Sequence, residues 1–448
     1  MINTIILGHA LNILPQLPAE SVNCVVTSPP FWGLRDYGIE PVTWDGDKDC
    51  RHEWGNKSIT LKHKPGETNP GKESWFKDSG ASDDKGNCFC LKCGAWKGSL
   101  GLEPTFELYI KHLCDIFDEI KRVLRKDGTC WVNLGDTYAS SPAGNKEIKY
   151  SGDGVYGRLM NRHTQGGTSE VTYKPKKYSV PTKSLCLIPQ RFAIEMVNRG
   201  WILRNTIIWH KPNCMPSSAK DRFTVDFEYV YFFVKSKKYW FETQYEKQTE
   251  QWLERTKRLV YRPLQDLGGE KLKAEHNSEF YKSNPQGRNK RAVWTIPTQP
   301  FPEAHFAVYP ETLIEPMIKA GCPRYVCKKC GKAREKIYEG KANDAFNIRV
   351  RDVKENRIKH TDRIATDKEI KNYKEKCYGG EGIKFIGYTD CGCNAGWESG
   401  INLDPFMGAG TTALVALTQR KRFIGIEIKQ EYIDMSYKRI ARVQQRIF

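Results

Sequence analysis

A serine, two prolines and an aromatic, Ser28-Pro29-Pro30-Phe31, directly follow the strand-like run VNCVVT. A serine oxygen and a proline-fixed carbonyl are two hydrogen-bond acceptors, and the pyrrolidine rings restrict where the carbonyl points. Phe31 adds a flat apolar face on which another ring can stack. A second cluster lies near the C-terminus, Asp404-Pro405-Phe406-Met407-Gly408-Ala409-Gly410-Thr411-Thr412. Gly408 and Gly410 let the backbone turn tightly and approach a ligand, and Thr411 and Thr412 can cap the helix that follows. A strand, a glycine turn and a helix start suit a nucleoside cofactor at the carboxyl edge of a parallel sheet. The turn is not GxGxxG and lacks a P-loop lysine, so the dinucleotide and nucleoside-triphosphate patterns both fail. Glu427 ends the next strand, RFIGIE, where a carboxylate can accept bonds from ribose hydroxyls.

Two sets of close cysteines point to metal. Cys50 and His52 pair in sequence order with Cys90 and Cys93, and Cys327 and Cys330 pair with Cys391 and Cys393. Each set offers four soft ligands for a tetrahedral, structural Zn2+ that closes an insertion, with no open position for catalysis. Cys88, Cys322 and Cys377 are spare candidates. The 15 cysteines fit this reading because a reducing cytosol disfavours structural disulfides.

These residues need elements to hold them. TIILG and VNCVV read as strands, and the stretch from Thr105 to Gly128 reads as one amphipathic helix before the strand TCWVNLGD. Further on, PQRFAIEMVNRG reads as a helix, and WILRNTIIWHK and FEYVYFFVKS read as strands. GINLDPF, TTALVALTQ, RFIGIEI and a last helix restore an α/β rhythm at the end. Between these lie polar, aperiodic insertions. The chain of 448 residues carries 71 Lys plus Arg against 53 Asp plus Glu. Between Ala139 and Pro300 the balance is 28 to 15, so most of the excess is central. Such a balance points to a polyanionic partner, most often nucleic acid. No apolar run reaches the roughly 20 residues of a membrane span, and the N-terminus lacks signal-peptide features. A cytoplasmic protein without a membrane partner is expected.

The order of these motifs resembles that of the beta-class DNA amino-methyltransferases. TSPPFWGLRDYG is similar to their motif IV, Asp/Asn/Ser-Pro-Pro-aromatic, and DPFMGAGTT to their motif I, which binds S-adenosylmethionine. His305 to Ile318 resembles motif X, and LRKDGTCWVNLGD, ending at Asp136, resembles motifs V–VI. The likeness covers roughly 1–38, 104–138, 183–235 and 295–448. It implies a Rossmann-like methyltransferase sheet, in α/β class, with inserted zinc-binding and DNA-recognition segments. Residues 1–38 and 101–138 would form the catalytic half of the core, and 301–330 with 394–448 the cofactor half. Residues 39–100 and 331–393 would be the zinc insertions. Residues 139–300 would be the target-recognition region, with core elements at about 183–235. The cofactor-binding residues implied are Gly8, His305, Asp404, Pro405, Phe406, Gly408, Gly410, Thr411, Thr412 and Glu427. Where family members often carry Gly-Asp after the first strand, this chain has Gly8-His9, and an imidazole does not replace a carboxylate.

The resemblance also implies a reaction. An exocyclic amine of cytosine or adenine is a poor nucleophile because its lone pair is delocalised into the ring. Acceptors from Ser28 and Pro29 aimed at its protons favour a tetrahedral nitrogen, and Phe31 stacks on the flipped base. Arg35 and Asp36 would shape the loop over that base. Methylation at ring carbon five needs a Pro-Cys nucleophile pair, and none occurs. Serine at position 28 resembles the subset acting at cytosine N4; adenine N6 is the alternative. RNA or protein-glutamine methylation usually has motif I before motif IV, the reverse of this chain. A non-catalytic, zinc-stabilised DNA-binding protein is the remaining alternative. The expected partner is double-stranded DNA in a prokaryotic or phage-infected cell, with a cognate restriction endonuclease possible.

Overall fold

A computed structural model describes residues 2–34, 37–55, 88–139, 180–247, 249, 251, 287–299, 308–339 and 384–447. Its centre is an eight-stranded sheet. In chain order the strands are β1 (Thr4–Leu7), β2 (Val22–Thr27), β3 (Leu124–Leu134), β4 (Ile202–His210), β5 (Phe227–Val234), β6 (Val293–Thr295), β7 (Ile401–Asp404) and β8 (Arg422–Glu427). Their spatial order is β1-β8-β7-β2-β3-β5-β4-β6. All neighbours are parallel except β5, which runs antiparallel to both β3 and β4. The sheet is therefore mixed, where the helix–strand rhythm alone suggests a parallel one. The β4–β5 hairpin produces the reversal. Val293–Thr295 also joins the core, beyond the 183–235 stretch expected to contribute to it.

Two helical layers cover the sheet. On one face lie α1 (Ala10–Ile13), α2 (Phe106–Val123) and α3 (Ile188–Asn198), whose Leu113, Phe117, Ile120 and Phe192 are fully buried. On the other face lie α4 (Glu311–Gly321), α5 (Thr411–Thr418) and α6 (Gln430–Ile447). Helix α5 packs against the sheet and its two neighbours, and its residues from Thr411 to Ala416 are buried on every side, so the helix is apolar nearly all round. Each such Leu, Ile or Val removed from water contributes roughly 1.5–3 kcal/mol.

Helix α2 ends at Val123, not near Gly128. Leu124 is already extended and pairs with Val22 of β2. The last carbonyls of α2, at Arg122 and Val123, accept the N–H groups of Glu20 and Ser21 at 3.1 and 2.9 Å. The turn before β2 thus terminates the helix and starts β3 beside β2.

The carboxyl ends of β1, β8, β7 and β2 lie along one edge. Connections from β7 and β2 leave in opposite directions, so a crevice opens between them, which is where open α/β sheets bind ligands.

Candidate functional site

One cavity of about 370 Å³ occupies this edge. Its wall contains Ser28, Pro29, Pro30 and Phe31 after β2, Pro405, Phe406, Gly408 and Thr411 after β7, Glu427 at the tip of β8 and Gly8 after β1. Two motifs about 375 residues apart in sequence thus meet in one space. Asp404, Gly410 and Thr412 do not line it. His305, Arg35 and Asp36 lie outside the described residues.

Asp404 is fully buried and works behind the wall. Its Oδ1 accepts from Thr27 Oγ1 at 2.6 Å and Phe406 N at 3.0 Å, and its Oδ2 from Thr412 Oγ1 at 2.7 Å and Tyr309 Oη at 3.1 Å. One carboxylate therefore joins β7, β2, α5 and the segment before α4. Gly410 adopts φ 77°, and a Cβ there would come within 2.7 Å of Ser436 Cβ. Helix α6 holds the turn through that close approach. Ser436 Oγ donates to Gly408 O at 2.9 Å and Arg439 Nη1 to Ala409 O at 2.6 Å.

Glu427 is nearly buried, and burial pushes its carboxyl up from the usual range against the pull of three backbone N–H groups. Those donors are Gly408, Ile428 and Lys429, at 2.8, 3.0 and 3.0 Å. A carboxylate has about four acceptor sites, so one remains for a ligand hydroxyl. Beside it, Phe406, Ile426, Ile428 and Val308 give apolar walls suited to a flat ring. This donor and acceptor set fits a nucleoside cofactor. His9 caps α1: its Nδ1 accepts from Leu11 N at 3.3 Å, so Nε2 carries the proton of the neutral ring. Burial holds its pKa down at about 4. It offers a ligand a donor where a carboxylate would offer an acceptor.

At the other end of the cavity, the Pro30 carbonyl accepts from Tyr109 Oη at 2.8 Å and Trp32 Nε1 donates to Glu103 O at 2.8 Å. The second proline is thus pinned to the protein. The Phe31 ring rests over Gly135, where a Cβ would come within 2.7 Å of it. Ser28 Oγ donates to Asn133 Oδ1 at 3.2 Å, and Asn133 Nδ2 donates to Glu228 Oε2 at 2.9 Å and to Tyr229 O at 3.2 Å. Tyr309, Glu228 and Asn133 were not singled out from sequence. Each acts through a partner 95 or 105 residues away, and no local spacing signals that.

The cysteine sets converge. The ligand atoms of Cys50, His52, Cys90 and Cys93 lie within 4.8 Å of one another, and so do those of Cys327, Cys330, Cys391 and Cys393. Cys50 and Cys90 sulfurs are 3.8 Å apart, close to the edge of a tetrahedron with Zn–S bonds of about 2.3 Å. In both sets the glycine after the CxxC turns back alike: Gly94 N donates to Cys90 O and Gly331 N to Cys327 O, each at 2.9 Å. The first set ties a small antiparallel sheet, Val42–Trp44, Trp54–Gly55, Cys88–Cys90 and Trp96–Gly98. The second joins Val326–Cys327, after α4, to Trp397–Glu398, before β7. Cys322 is buried at the end of α4 away from both sets; Cys377 lies outside the described residues.

Comparison with known proteins follows the same lines. A family model described as DNA methylase, of the N6/N4 type, matches residues 22–325 and 396–438. The chain is 27% identical over 438 residues to the Type II methyltransferase M.XycI of Xanthomonas campestris pv. cyanopsidis, spanning 98% of this chain and 87% of that one. It is 26% identical over 438 residues to the Type II methyltransferase M.SmaI of Serratia marcescens, spanning 98% and 90%. Among solved structures, a putative DNA modification methylase from Thermus thermophilus, complexed with S-adenosyl-L-methionine, aligns over 98% of this chain and 94% of that one. Identity there is 16% and the TM-score 0.38.

Proposed function

This chain belongs to the DNA methylase family of N6/N4 amino-methyltransferases, and on that premise we propose that it methylates cytosine N4 at a specific site in duplex DNA. The carrying observation is the cavity in which Ser28-Pro29-Pro30-Phe31 faces Gly408 and Glu427. S-adenosylmethionine, when bound there, supplies an electrophilic sulfonium methyl. Glu427 would accept from one of its ribose hydroxyls, and Phe406 with Ile426 and Ile428 would enclose its adenine.

The remaining chemistry belongs to the chain and the substrate. Phe31 stacks on a base turned out of the duplex. Ser28 Oγ and the Pro29 carbonyl accept from the two amine protons, which draws electron density back onto the nitrogen. The Pro30 carbonyl is already engaged by Tyr109, and the Pro29 carbonyl has no partner among the described residues, which leaves it for this task. The amine lone pair would form the new N–C bond with the methyl that the cofactor supplies, the S–C bonding pair staying with sulfur, and the amine would then release one proton to solvent. Positioning and electrostatics suffice. No cysteine lines the cavity among the described residues, which agrees with a reaction that needs no covalent enzyme intermediate.

Serine at position 28 supports cytosine over adenine. The full-length likeness to Type II methyltransferases supports site-specific modification and a cognate restriction endonuclease as partner. The two cysteine sets would each hold a structural Zn2+. The test is methyl transfer from labelled S-adenosylmethionine to duplex DNA, then digestion to nucleosides and mass spectrometry. N4-methylcytosine is the expected product. N6-methyladenine alone would overturn the choice of base, and no incorporation by protein that still binds cofactor would overturn the activity.

A further inference from the structure

We propose that Glu228, on β5, is a positioning residue that fixes which way Ser28 presents its hydroxyl to the substrate amine; this rests on the reading of Ser28 given above. A serine hydroxyl can donate or accept, and only an accepting oxygen helps a nucleophilic amine. The direction of the Ser28 proton is therefore a catalytic variable, and three residues set it.

Asn133 is the first. Its side chain is almost wholly buried on β3, with its carbonyl oxygen toward Ser28 and its amino group toward Glu228 and the Tyr229 carbonyl. An asparagine amide can be turned end for end with little change of shape, so only its partners decide its orientation. Both groups facing Nδ2 are acceptors. A turned Asn133 would put its oxygen against the Glu228 carboxylate and the Tyr229 carbonyl, which is repulsive. The Lys211 ammonium, which lies 4.5 Å over the Trp209 ring, contacts Glu228 Oε1 and leaves Oε2 as the acceptor facing Asn133. The chain of dependence runs from Lys211 to Glu228, from Glu228 to Asn133 and from Asn133 to Ser28. Ser28 must then donate to Asn133 Oδ1, and its lone pairs are left for the amine. Glu228 also lines the cavity, so its charge lies beside the reacting groups.

The test exchanges acid for amide at the two positions. In Glu228→Gln, Lys211 claims the oxygen of the new amide, so its amino group opposes Asn133 Nδ2 and only the Tyr229 carbonyl still favours the original orientation. Asn133→Asp keeps an acceptor for Ser28 but sets its other oxygen against the Glu228 carboxylate and the Tyr229 carbonyl, which pushes the side chain off Ser28. Each single variant should lose roughly 10²-fold in single-turnover rate with cofactor affinity unchanged. In the double variant, the amide introduced on β5 donates to the carboxylate introduced on β3. That carboxylate accepts from Ser28, and the original direction returns with one repulsive contact left, against the Tyr229 carbonyl. The expected result is recovery to within about tenfold of wild type, a coupling that independent structural damage does not produce. Single variants with wild-type rates, or a double variant no faster than the slower single one, would overturn the proposal while wild type remains active. A wild-type protein that binds cofactor and methylates no DNA would overturn the underlying activity, and the proposal with it.

Discussion

At the scale of single residues, the two motif carboxyl and hydroxyl groups divide their work differently from what their sequence positions suggest. Ser28 faces the cavity, so Ser28→Ala removes one acceptor from the amine and leaves the fold intact. The expected result is a fall of roughly 10²-fold in single-turnover rate, with cofactor affinity by calorimetry unchanged; a rate within a factor of two of wild type would remove Ser28 from the reaction. Asp404 stands in the motif yet faces inward. Asp404→Ala strands the buried Thr27 hydroxyl and removes the shared acceptor of Thr412 and Tyr309, which keep each other. It should cost roughly 3 kcal/mol or more of stability in urea titration, with Asp404→Asn losing less; a loss below about 1 kcal/mol would mean that water replaces these bonds. The cavity-facing half of the site is legible in sequence because Ser-Pro-Pro-Phe and the glycine turn are contiguous. The supporting half is not. Thr27 and Asp404 meet across 377 residues, and Asn133 and Glu228 across 95, so only the strand order brings them together.

At the scale of elements, strands and helices are readable from period, but their ends and pairings are not. Leu124 continues the spacing of Ile120 by one helical turn, so periodicity carries α2 past its end at Val123. What stops it is the non-local turn at Glu20 and Ser21. Nor does a β-rich run announce its direction, and the reversed β5 follows from hairpin connectivity alone. The cysteine sets show the converse, since ligand spacing is local and both sets do converge. They hold separate elements, and their loss should therefore separate. Elemental analysis of wild type is expected to give two zinc per chain, and Cys93→Ser and Cys330→Ser one each. Chelation should also expose Trp44 and Trp96, now 3% and 1% exposed, and shift tryptophan emission to the red. Unchanged zinc in both variants would end the assignment.

At the scale of the whole molecule, the first insertion is joined to the core through histidines whose charges respond oppositely to pH. His112 of α2 is fully buried and stacks against both the Trp44 and the Trp96 rings, with Asp45 Oδ2 3.0 Å from Nε2 and Glu103 Oε1 3.1 Å from Nδ1. Burial works against its charge, but the bonds to Asp45 and Glu103 outweigh burial and raise its pKa. Burial alone would raise Asp45; His112 and Lys111 instead hold it at about 2, while burial raises Glu103. The stability from protonated His112 is therefore complete below about pH 6.5 and is lost as pH rises through the higher folded value. His9 has the opposite sign. Its folded pKa of about 4 lies below the unfolded value, so between about pH 6.5 and 4 the unfolded chain binds the proton first and stability falls with acidity. Asp45 joins that limb only at its acid end, because its loss begins as pH falls through the unfolded carboxylate value of about 4 and is complete near 2. Asparagine is a good helix N-cap, so His9→Asn keeps the bond to Leu11 N while it deletes the titration and the edge contact with the Trp44 ring. Thermal melting from about pH 4 to 9 should then show a flatter acid limb in His9→Asn and an unchanged alkaline limb. His112→Gln should melt lower throughout, with its alkaline decline flattened, because Asp45 and Glu103 lose their cation. An acid limb in His9→Asn parallel to wild type would show that the half-buried ring in the cavity wall takes up no proton cost on folding.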